Sequence, residues 1–184
     1  RCTDMPQGLK KGFAVLGIES SCDETACALV EDGRRVLSNV IDSQIELHRL
    51  YGGVVPELAG RNHVMAIDRA AKRALADAGA DFSDVDAVAV TCGAGLVGCL
   101  LVGVSYAKAL AYSLGVPLVA VNHIEAHMCA NYLGTDAGPP YLCILASGGH
   151  TAVVHVAGYN EYSVLSSTVD DAIGEAFDKV ARTL

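Results

Sequence analysis

The spacing of apolar and polar positions changes along this chain between a strand-like and a helix-like period, and the changes outline its elements. Residues 13–20 (FAVLGIES) predict a strand, whose short apolar run over 13–18 is stopped by Glu19. Two further runs, 26–30 and 35–41, flank Glu31-Asp32-Gly33, a turn sequence that closes hairpins. Tyr51-Gly52-Gly53 reads as a loop. From residue 56 to 78 the spacing becomes helical, with Leu58, Val64, Ile67, Ala71 and Leu75 on one broad face. Pro56 suits the first position of that helix and Gly79 suits its end.

Residues 86–92 predict a short buried strand, and 93–98 a glycine-rich turn into a helix that ends near Gly115. A strand over 118–122 and a helix over 123–133 follow. Strands alternating with helices predict an α/β domain with a largely parallel sheet, the opening hairpin adding an antiparallel edge. After the linker 134–140 (GTDAGPP) the opening order restarts: a strand over 141–146, a turn over 147–150, a strand over 151–157 and a third over 162–169. Two such halves predict a duplicated fold with a ligand between them. Residues 1–12 read as a polar leader, 13–137 as a first lobe and 138–184 as the start of a second. The last segment, 170–184, is helical by period and ends without Gly or Pro, so the expectation is a fragment of a longer protein.

Composition sharpens this outline. Hydrophobic residues make up 52% of the 184 and charged residues 18%, against about 45–50% and about 25% in ordinary domains. That excess predicts a sheet with both faces covered and argues against disorder. Net charge is −8 and pI about 5.1, unlike a chain that grips nucleic acid through its own phosphate contacts. Trp is absent and aromatics are few, which argues against a base-stacking platform. Seven cysteines, an odd number with no C-x-x-C pair, read as small buried hydrophobes in a reducing cytosol. Between residues 91 and 124 the only charge apart from His123 is Lys108, but Gly115 and Pro117 interrupt the run. A buried helix followed by a buried strand fits it better than a membrane span.

Several groups of residues carry candidate chemistry. His123 and His127 stand four apart on a predicted helix that follows a strand, so both imidazoles share one face and can share a metal. The string is His-Ile-Glu-Ala-His rather than H-E-x-x-H. Glu125, two residues from His123, lies roughly 200° around the helix, which rejects a metalloprotease. Two ligands do not complete a site, so a third must come from elsewhere. Ser147-Gly148-Gly149-His150-Thr151 suits backbone contact with an anion and equally suits a plain hairpin turn. The turn Ser20-Ser21-Cys22-Asp23-Glu24-Thr25 is its counterpart in the first half, either a phosphate and metal site or a solvated tip. Gly93, Gly95 and Gly98 have the G-x-G-x-x-G spacing of a dinucleotide site. The acid expected about 20 residues on is missing, which leaves anion binding at a helix N-terminus or close helix–sheet packing. Asp170, Asp171, Glu175 and Asp178 crowd the last helix, with the last three predicted on one face, as a solvated surface or as a holder of ribose hydroxyls or a metal.

Taken together, SSCDET (20–25), YGGVVPELA (51–59), NHIEAH (122–127), SGGHT (147–151) and DDAIGEAFDKVAR (170–182) occur in the order seen in TsaD-like proteins, and the chain resembles that family from about residue 13 to 184. The resemblance implies an actin-like ATPase (ASKHA) fold, α/β, with an RNase-H-like lobe one and the beginning of lobe two. It implies an acyltransferase that moves a threonylcarbamoyl group from threonylcarbamoyl-AMP to N6 of the adenosine beside the anticodon in tRNAs reading ANN codons. It implies one divalent metal, iron or zinc, on His123 and His127 plus an aspartate beyond this chain. It implies that Ala146, Ser147, Gly148, Gly149 and His150 contact the adenylate, that Asp178 lies in a cleft for an ATP- or ADP-type nucleotide, and that Asp23 and Glu24 form a catalytic acidic pair facing the same cleft. The implied partners are tRNA, a TsaB-like paralogue and a TsaE-like ATPase, with no membrane or DNA, in the cytoplasm. The helix over 96–114 is the candidate face for the paralogue. Ala94 departs from the family's usual proline. The rival readings are a non-catalytic TsaB-like module, which generally lacks the histidine pair, and an ASKHA kinase, which needs none.

Overall fold

The computed structural model describes residues 12–183, so the leader read over 1–12 lies, but for Gly12, outside the described residues. The chain divides into two compact units, Arg1–Ala126 and His127–Leu184.

The first unit is a five-stranded sheet in the order β3-β2-β1-β4-β5. Its strands are β1 (Ala14–Glu19), β2 (Glu24–Glu31), β3 (Arg35–Ser43), β4 (Ala87–Gly93) and β5 (Leu118–Asn122). β1 pairs in parallel with β4, and β4 with β5. β2 and β3 pair antiparallel to β1 and to each other, so the predicted antiparallel edge makes up half of the ladders. The β2–β3 turn has Asp32 at φ 53° and Gly33 at φ 68°, the twist that two-residue hairpins favour. A short helix, α1 (Ile45–Arg49), went unpredicted; α2 (Pro56–Asp77) starts at the proline and ends before Gly79, as predicted.

Helix α2 packs on β2 and β3, α3 (Val97–Leu114) on β4 and β1, and the two helices on each other. Ala70, Ala71 and Ala74 of α2 and Ala107 of α3 let the helix axes come close to Leu16, Leu29 and Val88 of the sheet. Two expectations need correction. Val64 faces solvent, because the buried row of α2 runs through His63, Ile67, Ala70 and Ala74. The described helices cover one face of the sheet, so β1 and β2 alternate between buried and half-buried positions instead of being buried on both.

Helix α3 is long and apolar enough to cross a membrane by length and composition alone. Its buried row is Cys99, Gly103, Ala107 and Ala111, packed within the unit. The strand after it is not buried as predicted: β5 ends the sheet, and Val119 is 46% exposed.

The second unit begins within α4 (His123–Cys129), a helix shorter than predicted because its last turn tightens into a 3₁₀ turn at Ala130–Tyr132. β6 (Tyr141–Ala146), β7 (Thr151–Gly158) and β8 (Glu161–Ser167) form an antiparallel meander. It repeats the pairing of β1, β2 and β3, as the restarted pattern predicted. Helix α5 runs over Ile173–Thr183, three residues later than its predicted start.

Candidate functional site

Parallel strands bring their carboxyl ends to one edge of a sheet, and in open α/β sheets ligands bind at that edge. Here Glu19 ends β1, Thr91 and Gly93 end β4, and Asn122 ends β5 just before His123. The Glu19 carboxylate accepts from the Ser21 N–H at one oxygen. The other oxygen accepts from Thr91 Oγ1 at 2.5 Å and meets His123 Nδ1 at 3.3 Å. Ser21 Oγ also reaches His123 Nδ1, at 3.2 Å. Burial works to raise the Glu19 carboxyl, but the bonds from Ser21, Thr91 and His123 together hold it below the usual carboxylate range. Glu19 drew attention in the sequence only as the residue that stops an apolar run.

The 20–25 turn is fixed from two sides. Ser20 is fully buried and donates Oγ–H to the Cys99 carbonyl at 2.9 Å. Fully buried His63 reaches the Cys22 carbonyl through Nε2 at 3.0 Å and Thr25 Oγ1 through Nδ1 at 2.7 Å. A carbonyl only accepts, so Nε2 carries the proton and Nδ1 accepts from Thr25. Asp23 and Glu24 are half-buried on this turn. The Asp23 carbonyl accepts from Gln44 N–H.

Of the three glycines in the G-x-G-x-x-G spacing, Gly95 has a packing cause, whereas a Cβ on Gly98 would meet nothing within 4 Å. A Cβ on Gly95 would stand 2.6 Å from the Ser21 carbonyl oxygen, and that oxygen already accepts from Leu96 N–H at 2.7 Å. A Cβ on Gly103 would meet Ser20 Oγ at 2.3 Å. These glycines let α3 and its lead-in pass against the end of β1. Ala94 adopts φ 54°, which a proline ring locked near −65° cannot.

Both histidines of the predicted pair lie on α4, His123 half-buried and His127 exposed. Among the described residues no group of three His, Cys, Asp or Glu stands ready for a metal.

In the second unit, Ser147-Gly148-Gly149-His150 closes the β6–β7 hairpin. Ser147 N–H donates to the His150 carbonyl at 2.8 Å, and His150 N–H to Ser147 Oγ at 3.0 Å. Ala146, Gly148, Gly149 and His150 are exposed. Neither Gly148 nor Gly149 has a positive φ, and a Cβ on either would meet nothing within 4 Å. The described chain itself gives no reason for glycine at either position.

The start of α5 docks on this turn. Ile173 N–H donates to Thr151 Oγ1 at 2.8 Å and Gly174 N–H to the Ser147 carbonyl at 3.2 Å. These bonds hold 170–172 out of the helix, so Asp171 does not share a helical face with Glu175 and Asp178 as predicted. Lys179 instead bridges Asp171 and Glu175, at 2.6 and 3.3 Å. Asp178 is exposed on α5.

The fold is α/β, of the actin-like ATPase (ASKHA) type. It is similar in fold to YeaZ from Pseudomonas aeruginosa, with a TM-score of 0.52, 18% identity, and coverage of 84% of this chain and 67% of that one. Residues 35–184 match the model of the family TsaD, tRNA N6-adenosine threonylcarbamoyltransferase, and the chain belongs to that family. The relative from Clostridium perfringens (strain 13 / Type A), named tRNA N6-adenosine threonylcarbamoyltransferase, is 58% identical over 171 residues, covering 92% of this chain and 50% of its own. The relative of the same name from Clostridioides difficile (strain 630) is 56% identical over 170 residues, with 92% and 50% covered. The chain therefore spans about half the length of the curated relatives it matches.

Proposed function

We propose that this chain carries part of the machinery that transfers a threonylcarbamoyl group from threonylcarbamoyl-AMP to N6 of the adenosine beside the anticodon in tRNAs reading ANN codons. The observation that carries this reading is the histidine pair of α4, at the carboxyl end of a parallel strand in a member of this family. Two imidazoles one helical turn apart fit a borderline-soft divalent cation such as iron or zinc. His123 and His127 would hold it together with a ligand from outside this chain. Such an ion supplies Lewis acidity toward carbonyl or phosphate oxygens.

The remaining roles fall to the chain's own residues. The glycine pair at 148–149 gives an adenylate room to approach backbone N–H groups, which suits developing negative charge. The N6 amine attacks the carbamoyl carbon, a C–N bond forms, the C–O bond to phosphate breaks, and AMP leaves with the bonding pair. The N6 proton passes to a carboxylate of the Asp23-Glu24 turn. Asp178 contacts the nucleotide. A chain of net charge −8 gains much of its hold on tRNA from partners, a TsaB-like paralogue and a TsaE-like ATPase, in the cytoplasm.

The test is reconstitution of the full-length enzyme with those partners and a tRNA transcript, scored by mass spectrometry of the modified nucleoside. The His123→Ala/His127→Ala variant is expected to lose modification by about a hundredfold or more while keeping its fold, since loss of a metal ligand's supporting partner alone costs about 10–100-fold. Undiminished modification would leave the histidines without a catalytic part. A non-catalytic module would modify nothing alone and would serve a catalytic partner equally well with or without the pair.

A further inference from the structure

We propose that Glu19 is the positioning residue of the histidine pair: its carboxylate fixes His123 as the Nδ1–H tautomer and so assigns Nε2 as the atom that binds a cation. This rests on the histidine-pair reading above and adds to it a residue that no motif singled out.

The argument starts from what each group can do. A carboxylate with its proton off only accepts hydrogen bonds. Glu19 Oε2 lies 3.3 Å from His123 Nδ1, so a bond there requires the proton on Nδ1 and the lone pair on Nε2. Neutral imidazole in water prefers the opposite tautomer, and metal-binding histidines commonly use a carboxylate or carbonyl to set the choice. Glu19 is itself held in place. Ser21 N–H and Thr91 Oγ1–H also donate to it, from the turn after β1 and from the adjacent parallel strand. Ser21 is fixed in turn, since its carbonyl accepts from Leu96 N–H and packs against Gly95. The carboxylate is therefore anchored by β4 and by the lead-in to α3, and it transmits that rigidity to an imidazole at the start of α4.

Ser21 Oγ, 3.2 Å from the same nitrogen, shares the Nδ1–H without changing the assignment. Glu19→Gln keeps the shape but turns one acceptor oxygen into a donor NH₂. It then cannot serve Ser21 N–H, Thr91 Oγ1–H and His123 Nδ1–H together.

The experiment uses the whole 184-residue chain with Zn²⁺ as probe. Long-range ¹H–¹⁵N correlation spectra of metal-free protein at pH 8 report the tautomer of each histidine, and competition against a chromophoric chelator gives Zn²⁺ affinity. Wild type is expected to show His123 as Nδ1–H. Glu19→Gln is expected to shift it toward Nε2–H and to weaken Zn²⁺ binding by about tenfold to a hundredfold. Thr91→Val, which leaves the carboxylate but removes one anchor, is expected to show a smaller loss of the same sign. A wild-type His123 found as Nε2–H, or an unchanged affinity in Glu19→Gln beside a loss in His123→Ala, overturns the role of Glu19 and leaves the histidine pair standing. Wild type that binds Zn²⁺ no better than His123→Ala shows that the pair does not hold the ion without its outside ligand, and the tautomer of His123 then decides the role of Glu19 alone.

Discussion

Buried Cys27 carries a consequence of burial that a pH titration can read. Burial pushes its thiol from 9.0 up to about 12. A thiol raised on folding contributes stability that is complete below its unfolded value and is lost as pH rises through the folded value. The denaturation midpoint should therefore fall as pH rises from 9.0 toward about 12, and Cys27→Val, which cannot ionise, should flatten that fall. Cys22 is raised to about 11, by burial and by its neighbour Asp23. It should alkylate slowly with iodoacetamide at pH 8 although it is exposed, as mass spectrometry of the labelled peptide would show. Ala94 offers a second check, since φ 54° costs a non-glycine residue about 1–2 kcal/mol. Ala94→Gly should raise the chemical-denaturation midpoint, and Ala94→Pro should lower it. At this scale the sequence was partly legible. The histidine pair, the glycine turn and the acidic turn could be read from spacing. Glu19, Thr91 and His63 could not, because pattern reading scores apolarity and turn chemistry. Nothing local marks a polar side chain whose partners lie 38 to 104 residues away.

At the scale of elements, the docking of α5 on the β6–β7 turn gives the most direct prediction. A Cβ on Gly174 would stand 2.8 Å from Gly148 Cα and from the Ser147 oxygen. Gly174→Ala should cost about 1–3 kcal/mol through overpacking and should raise hydrogen exchange across 147–151. Gly149→Ala meets open space and should leave stability within about 0.5 kcal/mol, as surface changes usually do. If an adenylate approaches there, the same substitution should raise KM for the adenylate in the full-length enzyme. The two glycines thus separate a packing role from a binding one. Strands and helices with a clear period were legible, and so was the restart after the linker. The start of α5 was not, because Thr151, an earlier residue, binds its first turn. The exposure of β5 was not either, because an apolar pentapeptide reads alike at the centre and at the edge of a sheet.

Across the molecule, the described residues leave sizeable apolar side chains in solvent on the second unit, among them Leu142 at 64% and Ile144 at 74% exposure, side by side on one face of β6. Patches of this kind mark surfaces that something else covers. The chain by itself should bind the dye ANS in its native state, and Leu142→Ser/Ile144→Ser should reduce that fluorescence without lowering the melting temperature. Fold class was legible because the α/β alternation repeats over long stretches. The expectation of a sheet covered on both faces came from the overall share of apolar residues, which does not say which face each of them takes. The sheet of the first unit also has a quiet end. Its register sets Glu31 beside Ala14 and Ala26 beside Glu19, so the tight turn at Asp32 and Gly33 lies at the edge away from the histidine. Asp32 accepts from Phe13 N–H, while nothing stands within 4 Å of a side chain built on Gly33. A fluorophore or affinity handle grafted beside Gly33 would report on this protein while leaving its chemistry alone.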